Sequence, residues 1–324
     1  MIKKSVLKKR GVWHPTDALG FEESKEFAQR IEGLGYSMLW IPETTGRDPF
    51  AHIAYLASTT ENLHFATGIA NIYHRLPGVT RQAAATLAEQ SGGRFLLGLG
   101  ISHAPLVEGL RQIPYEKPIA TMRSYLRTFK TSPYTSIPPN HEPQCVVAAL
   151  GPQMLQLSSE YADGAHPYWT TPDHTHQARE ILGKDKLLCV EQKVVLTQDK
   201  ETAHSAAKSA LRIYASLPNY RNSWKRLGFS EDDIDSPSDY FIDSLVAWGS
   251  IQQIEKRIKE HEKAGASHVC IQAIPHDGNF KIPEWGNLRS TRTLICQSSP
   301  GSIGKQFCNG PDLLSCNWWL KIDY

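Results

Sequence analysis

The sequence has no run of about 18 or more apolar residues, so it offers no candidate for a membrane-spanning helix. The first ten residues, MIKKSVLKKR, are basic but lack the apolar segment of a secretory signal peptide. The six cysteines form no CxxC pair, and Cys145, Cys189 and Cys270 lie in apolar segments typical of buried strands. We therefore expect a reduced, cytoplasmic protein without a membrane partner.

Neither basic nor acidic residues are in large excess. The chain has 35 Lys and Arg against 33 Asp and Glu, a formal charge of +2, and this balance does not predict a nucleic-acid partner. No GxSxG, P-loop or paired CxxC motif occurs, so nucleophilic hydrolysis, nucleotide hydrolysis and a structural zinc site have no support. The segment HTH (174–176), predicted to lie in a loop after Pro172, has no carboxylate at ligand spacing, and we predict no metal site.

Short apolar segments alternate with amphipathic ones between residues 11 and 275. Strand, helix, strand repetition indicates parallel pairing, and continuous apolar strands indicate a sheet covered on both faces. The predicted strands are residues 11–13, 37–42, 63–72, 94–100, 145–150, 164–169, 187–197 and 268–274. A (β/α)₈ TIM barrel is favoured over an open doubly wound sheet, because GVWHPTDALG after the first strand is not a dinucleotide fingerprint.

The last part of the chain differs from the rest. From residue 289 to residue 324 the periodicity disappears, and Trp318 and Trp319 occur beside cysteines in a segment without apolar patterning. We therefore divide the chain into a barrel domain, residues 1–288, and an atypical tail, residues 289–324. Our hypothesis for the tail is a frameshifted or read-through end without a function.

The third predicted strand changes character along its length. In ATGIANIYHR (66–75) small apolar residues give way to Asn71, Tyr73, His74 and Arg75 before the segment ends. The carboxyl ends of parallel barrel strands carry the active site of this fold. Hydrogen-bonding side chains at this end are therefore candidates for function.

Several motifs of the sequence match one family. GVTRQAAATLAEQSGGRFLLGLG, preceded by TGIAN and followed by ISHAP, resembles the luciferase-like monooxygenase superfamily, as do GPQMLQLSSEYADG and AWGSIQQIEKRIKEHEKAGASHVCIQ. More narrowly, these motifs are similar to oxidoreductases that use the deazaflavin coenzyme F420. The resemblance implies an enzyme that transfers a hydride between deazaflavin C5 and a small organic substrate, and similar proteins are commonly homodimers.

Two alternatives remain open at this point. One is an FMN-dependent luciferase-like monooxygenase, which uses reduced flavin and O₂ and takes a flavin reductase as its partner. The other is a catalytically silent flavin-binding relative.

The resemblance also implies cofactor-binding residues. Similar proteins have a bulge in the third strand with a non-prolyl cis peptide against the ring, and the motif position assigns this bond to Gly68–Ile69. The alternative is that Gly68 relieves crowding and Asn71 caps the strand. The turn after the fifth strand gives backbone N–H groups to the cofactor phosphate in similar proteins, although the lysine that some F420 relatives have nearby is missing. The predicted cofactor-binding residues are Gly68, Ile69, Ala70, Asn71, Leu150, Gly151, Gln153, Thr170 and Thr171.

His103 and Glu43 are the predicted catalytic residues. His103 follows the fourth predicted strand, and an imidazole exchanges protons near neutral pH, although similar F420-dependent dehydrogenases often have a carboxylate there. Glu43 ends the second strand, where a carboxylate orients His103 or bonds the ring; the alternative is an N-cap or a salt bridge with Arg47. Strand-end aromatic and titratable residues suit a substrate pocket, with structural roles as the alternative. The predicted substrate residues are Trp13, His14, His74 and Trp169.

Overall fold

The computed structural model describes residues 2–277 together with Pro283, Trp285, Leu288 and Arg289. Apart from Arg289, the predicted tail of residues 289–324 lies outside the described residues. Among the described helices, none is both long and apolar enough to cross a membrane.

Eight parallel strands close into a barrel, as the alternation of apolar and amphipathic segments predicted. Neighbouring strands pair around the ring, and the last strand, His268–Ala273, closes it by pairing with both Gly11–Trp13 and Leu187–Val195. The barrel strands are β1 (Gly11–Trp13), β2 (Met38–Ile41), β3 (His64–Thr67), β5 (Phe95–Gly100), β6 (Cys145–Val147), β7 (Gly164–Ala165), β8 (Leu187–Val195) and β10 (His268–Ala273). The (β/α)₈ TIM barrel is therefore confirmed.

Two short strands accompany the ring. The third strand stops at Thr67 and resumes as β4 (Ala70–Asn71), which pairs with the end of β5. Between the two segments the Gly68–Ile69 peptide is cis, as the family resemblance predicted. The other addition, β9 (Val246–Trp248), pairs with the end of β8 in a stretch where the sequence predicted no strand.

Helices cover the outside of the barrel. Several begin with a side chain that caps the first turn: Asp48, Thr171, Asp199 and Ser250 each accept a hydrogen bond from a free N–H there. The described helices are α1 (Lys4–Leu7), α2 (Phe21–Gly33), α3 (Pro49–Ser58), α4 (Pro77–Gln90), α5 (Pro118–Thr131), α6 (Pro152–Tyr161), α7 (Pro172–Leu182), α8 (Lys200–Ala215), α9 (Pro218–Arg226), α10 (Glu231–Asp235), α11 (Asp239–Leu245) and α12 (Ile251–Lys263), with a π-helical turn at Pro105–Leu110.

The apolar side chains form three regions. The barrel interior is filled by residues such as Trp40, Leu96 and Val146, and the predicted buried cysteines are all free and buried. A second region lies between the sheet and the surrounding helices. The third region consists of aromatic residues of α8, α9 and α11 that pack around Trp224 at the carboxyl-terminal side of β8. This region borders the site described below.

Candidate functional site

A cavity of about 480 Å³ opens at the carboxyl ends of the barrel strands. Its wall includes the bulge after β3, the loop after β5, the turn between β6 and α6, the segment after β7, and helix α9. This volume lies within the range of ligand and cofactor sites, and this end of the barrel is where such sites occur. The cavity is therefore the candidate active site.

The bulge contributes Ile69 to the cavity wall. Behind it, Trp13 Nε1 donates a hydrogen bond to the Gly68 carbonyl at 3.0 Å. A Cβ at Gly68 would lie 2.6 Å from Trp13 Nε1, so the indole and a larger residue cannot share this space. Of the four bulge residues predicted to bind a cofactor, Ile69 lines the cavity, whereas Gly68, Ala70 and Asn71 lie behind it. Trp13 is thus a support of the bulge.

Glu43 lies beside the bulge in an ion-pair network. Its carboxylate accepts hydrogen bonds from Arg75, at 2.9 and 2.5 Å, and from the Asn71 backbone N–H at 2.8 Å. His74 Nδ1 is 3.1 Å from the same carboxylate. Burial raises the pKa of Glu43, but these hydrogen bonds outweigh burial and hold its pKa below the ordinary value.

The predicted alternative partner of Glu43 is wrong. Arg47 donates instead to the backbone carbonyls of Thr16 and Leu19, and Glu43 pairs with Arg75. With its oxygens occupied by Arg75, Asn71 and His74, Glu43 fixes the backbone that follows the bulge. His74, predicted to contact substrate, belongs to this network and not to the cavity wall.

His103 lines the cavity directly after β5. Its ring lies 5.7 Å from that of Tyr220, and its side chain is hydrogen-bonded to Asn219. Burial lowers the pKa of His103 below 6.5, and the Asn219 hydrogen bond opposes this shift without cancelling it. A neutral imidazole facing a cavity is able to accept a proton at neutral pH.

Another part of the cavity wall, at the start of α6, is suited to an anion. Leu150, Gly151 and Gln153 line it where α6 begins, and the first N–H groups of a helix have no intrahelical acceptor. The Arg226 guanidinium reaches the same point from α9: a Cβ at Gly151 would lie 3.2 Å from Arg226 Nη2. Within the described part of the chain, Arg226 forms no ion pair.

Thr170 and Thr171, the other predicted cofactor residues, lie outside the cavity wall. Thr171 Oγ1 accepts the backbone N–H of His174 at 3.3 Å and caps α7. Thr170 is buried, and its hydroxyl has no partner in the described structure. His174 in turn contacts the Leu150 carbonyl through Nε2 at 2.9 Å, so the HTH segment, predicted as a loop, lies in α7 and supports the turn.

The remaining predicted substrate residues also lie away from the cavity. His14 packs against Phe27 of α2, with 4.9 Å between ring centroids, and burial lowers its pKa to about 4. Trp169 is buried in the aromatic cluster, where its carbonyl accepts the Trp224 Nε1 hydrogen bond at 2.9 Å. Trp169 anchors α9, which carries several residues of the wall.

Sequence analysis missed a group of cavity residues. On α9, the polar residues Asn219, Asn222 and Arg226 recur at helical spacing and face the cavity together, which is a signal the sequence did contain. His166 Nδ1 lies 2.8 Å from the Cys189 carbonyl and donates to it, which leaves Nε2 as an acceptor without a partner in the described structure. Tyr115, Tyr168 and Tyr220 are further cavity residues that the sequence did not predict.

The chain belongs to the luciferase-like monooxygenase family, whose model matches residues 5–268. A Mycobacterium tuberculosis protein named as a coenzyme F420-dependent oxidoreductase is 24% identical over 311 residues, covering 76% of this chain and 90% of the relative. The structure of the coenzyme F420-dependent tetrahydromethanopterin reductase from Methanopyrus kandleri is similar, with a TM-score of 0.67 and 15% identity over 89% of this chain and 98% of that one.

A second similar structure contains a different cofactor. It is the oxygenating constituent of 3,6-diketocamphane monooxygenase from Pseudomonas putida, in complex with FMN. Its TM-score is 0.65 at 14% identity, covering 89% of this chain and 96% of that one. Together with the family match, these similarities identify the chain as an enzyme, an oxidoreductase of the luciferase-like type.

Proposed function

We propose that this protein is a coenzyme F420-dependent oxidoreductase that transfers a hydride between deazaflavin C5 and a small organic substrate. The observation that carries the proposal is the composition of one cavity. Ile69 of the bulge, the proton-accepting His103, and Arg226, which extends from α9 to the first turn of α6, all line it. The names of the Mycobacterium tuberculosis relative and of the Methanopyrus kandleri reductase, both F420-dependent, support the same cofactor.

The cavity residues fit such a cofactor at both of its chemically distinct parts. Arg226 and the free N–H groups of α6 suit a phosphate, because a guanidinium and a helix N-terminus both favour an anion. Ile69, Ile101 and Met154 offer an apolar wall for a flat ring system. His166 Nε2, buried without a protein partner, is an acceptor available to a donor group.

In the mechanism, a bound deazaflavin supplies a carbon that accepts or releases a hydride. The residues of this chain orient the reactants and manage the proton. His103, neutral because burial lowers its pKa, takes a proton from the substrate when the substrate is oxidised and returns it in the reverse direction. Asn219 holds the imidazole, and Tyr220 packs beside it and restricts water.

The FMN-dependent monooxygenase remains the second candidate. The fold similarity to an FMN complex supports it, and the same anion site accommodates the FMN phosphate. The missing lysine, which favoured this alternative in the sequence, no longer does so, because Arg226 supplies a cation from α9. A flavin reductase partner and the homodimer remain expectations that depend on the cofactor and on the family.

The test is the choice of cofactor. Purified protein is titrated with coenzyme F420, followed by quenching of deazaflavin fluorescence, and separately with FMN and reduced FMN. We expect saturable binding of F420 and at least tenfold weaker binding of either flavin form. Tight binding of flavin without binding of F420 would refute the proposal in favour of the monooxygenase.

A further inference from the structure

Helix α5 has an unusual charge composition. Between Pro118 and Thr131 it contains three basic residues, Arg123, Arg127 and Lys130, and no acidic residue. Arg123 and Arg127 are exposed and four residues apart, so they lie on the same side of the helix. Neither forms an ion pair within the described part of the chain. A cationic surface without internal counterions is therefore present on α5.

This surface is continuous with the candidate active site. A groove of about 560 Å³ runs between α5 and α6, and Ile119, Pro152 and Gln153 line both this groove and the active-site cavity. Arg123 lines the groove and also a further depression of about 540 Å³ along α5, which Arg127 lines as well. The path thus leads from the anion site at α6 to two unpaired guanidinium groups.

One acidic residue lies on this path. Glu160 lines the groove near the end of α6, two turns beyond Gln153, and its carboxylate accepts a hydrogen bond from Gln156 at 2.9 Å. A negative ligand is therefore repelled from the far end of α6 and attracted toward α5. The asymmetry of charge directs an anionic chain along Arg123 and Arg127.

We propose that the α5 surface, Arg123 and Arg127, binds the oligoglutamate tail that extends beyond the phosphate of coenzyme F420. This inference rests on the proposed function. Residues four apart on a helix are separated by about 6 Å along its axis, a distance that neighbouring carboxylates of an extended glutamate chain are able to bridge. FMN ends at its phosphate and does not use this surface.

The experiment compares two forms of the cofactor, one with several glutamates and one without any. Dissociation constants are measured by deazaflavin fluorescence for the wild type, for Arg123→Gln/Arg127→Gln, and for the control Arg212→Gln. Arg212 is exposed on α8 and forms no ion pair in the described structure, so replacing it removes a comparable exposed cation elsewhere. Titrations at low and high salt reveal the electrostatic part of the affinity.

We expect the wild type to bind the glutamylated form about three- to tenfold more tightly than the tail-less form at low salt, the range for two exposed ion pairs. The double variant loses this preference and binds the tail-less form like the wild type, whereas the control keeps the preference. Equal affinity of the wild type for both forms, or an equal loss of both in the double variant, overturns the inference but leaves F420 binding intact. Failure to bind either form overturns the proposed function itself.

Discussion

Arg75 and Glu43 form a two-pronged ion pair beside the cavity, with Nη1 to Oε2 at 2.9 Å and Nη2 to Oε1 at 2.5 Å. The carboxylate also accepts the N–H of Asn71, the residue that ends β4. The pair is largely shielded from solvent, with side-chain exposures of 6% for Glu43 and 13% for Arg75. It therefore ties the loop after the bulge to the end of β2 in an environment where a lost charge is costly.

Replacing Glu43 by Gln should lower the free energy of unfolding by about 1–3 kcal/mol, because the largely buried Arg75 guanidinium then keeps only Asp48, a half-exposed carboxylate, as its counterion. Urea denaturation measures the change. Glu142→Gln is the control, since Glu142 pairs with Arg81 at 58% exposure and an exposed pair contributes at most about 1 kcal/mol. If E43Q keeps its stability but loses turnover, Glu43 acts in the chemistry, as the sequence first suggested.

Replacing His103 by Ala should reduce turnover by about 10²–10⁴-fold, the usual contribution of a positioned acid or base, and leave the F420 dissociation constant within a few-fold of the wild type. Because burial lowers the pKa of His103, the imidazole is neutral at pH 7. In the direction that oxidises substrate, the wild-type rate is then level at neutral pH and falls as the pH drops through that lowered pKa.

A variant at Asn219 serves as the control for the His103 prediction, because it changes the pKa of His103 without removing the imidazole. Asn219→Ala removes the hydrogen bond that raises the pKa of His103, so the acid limb should move to lower pH while turnover falls less than in H103A. Steady-state rates between pH 5 and 8, run with cofactor at saturation, separate the two effects. An H103A enzyme with wild-type turnover would remove His103 from the mechanism.

Replacing Arg226 by Gln should weaken F420 binding by about 10- to 100-fold, since a hydrogen bond to a charged group contributes about 1.5–3 kcal/mol. The loss should be the same for cofactor with and without its tail. Arg226 of α9 lies beside the start of α6, at the anion site proposed for the phosphate, and not on the α5 surface proposed for the tail. Lys225→Gln is the matched control: the neighbouring Lys225 faces away and pairs with Glu231 at 2.6 Å. Equal losses in both variants would indicate a general effect of charge.

The sequence was sufficient for the barrel because buried parallel strands are continuous apolar segments, and for the bulge because a family motif contains it. It was insufficient for side-chain direction at strand ends. Trp13 and His14 are adjacent, and neighbouring residues of a strand point to opposite faces, so the indole supports the bulge while the imidazole packs against Phe27 of α2. Both were predicted to contact substrate.

The anion site depends on contacts between distant parts of the chain. Gly151 directly precedes α6, while Arg226 ends α9, a helix held over the cavity by contacts that include the hydrogen bond from Trp224 Nε1 to the Trp169 carbonyl. No local pattern in the sequence predicts these contacts between distant residues. The absence of a lysine near this turn was therefore visible in the sequence, whereas its replacement by Arg226 was not.

The buried histidines predict a protein that is sensitive to acid. In six of them burial lowers the pKa from 6.5 to about 3 or 4: His14, His52, His166, His174, His261 and His268. Between those values and about pH 6.5 the unfolded chain holds protons that the folded chain lacks. Stability therefore decreases as the pH falls through this window, by about 1.4 kcal/mol per pH unit for each such histidine.

Urea denaturation at pH 5 to 8 measures this dependence. We expect a nearly constant free energy of unfolding above pH 7 and a steep decrease below about pH 6.5, with a slope equivalent to several protons. His268→Gln removes one buried imidazole and should reduce the slope by about one proton, whatever its effect on stability at pH 7. His176→Gln, at a side chain 66% exposed on α7, is the control for replacing a histidine outside the interior. A wild-type slope of one proton or less would show that these imidazoles are protonated in the folded protein.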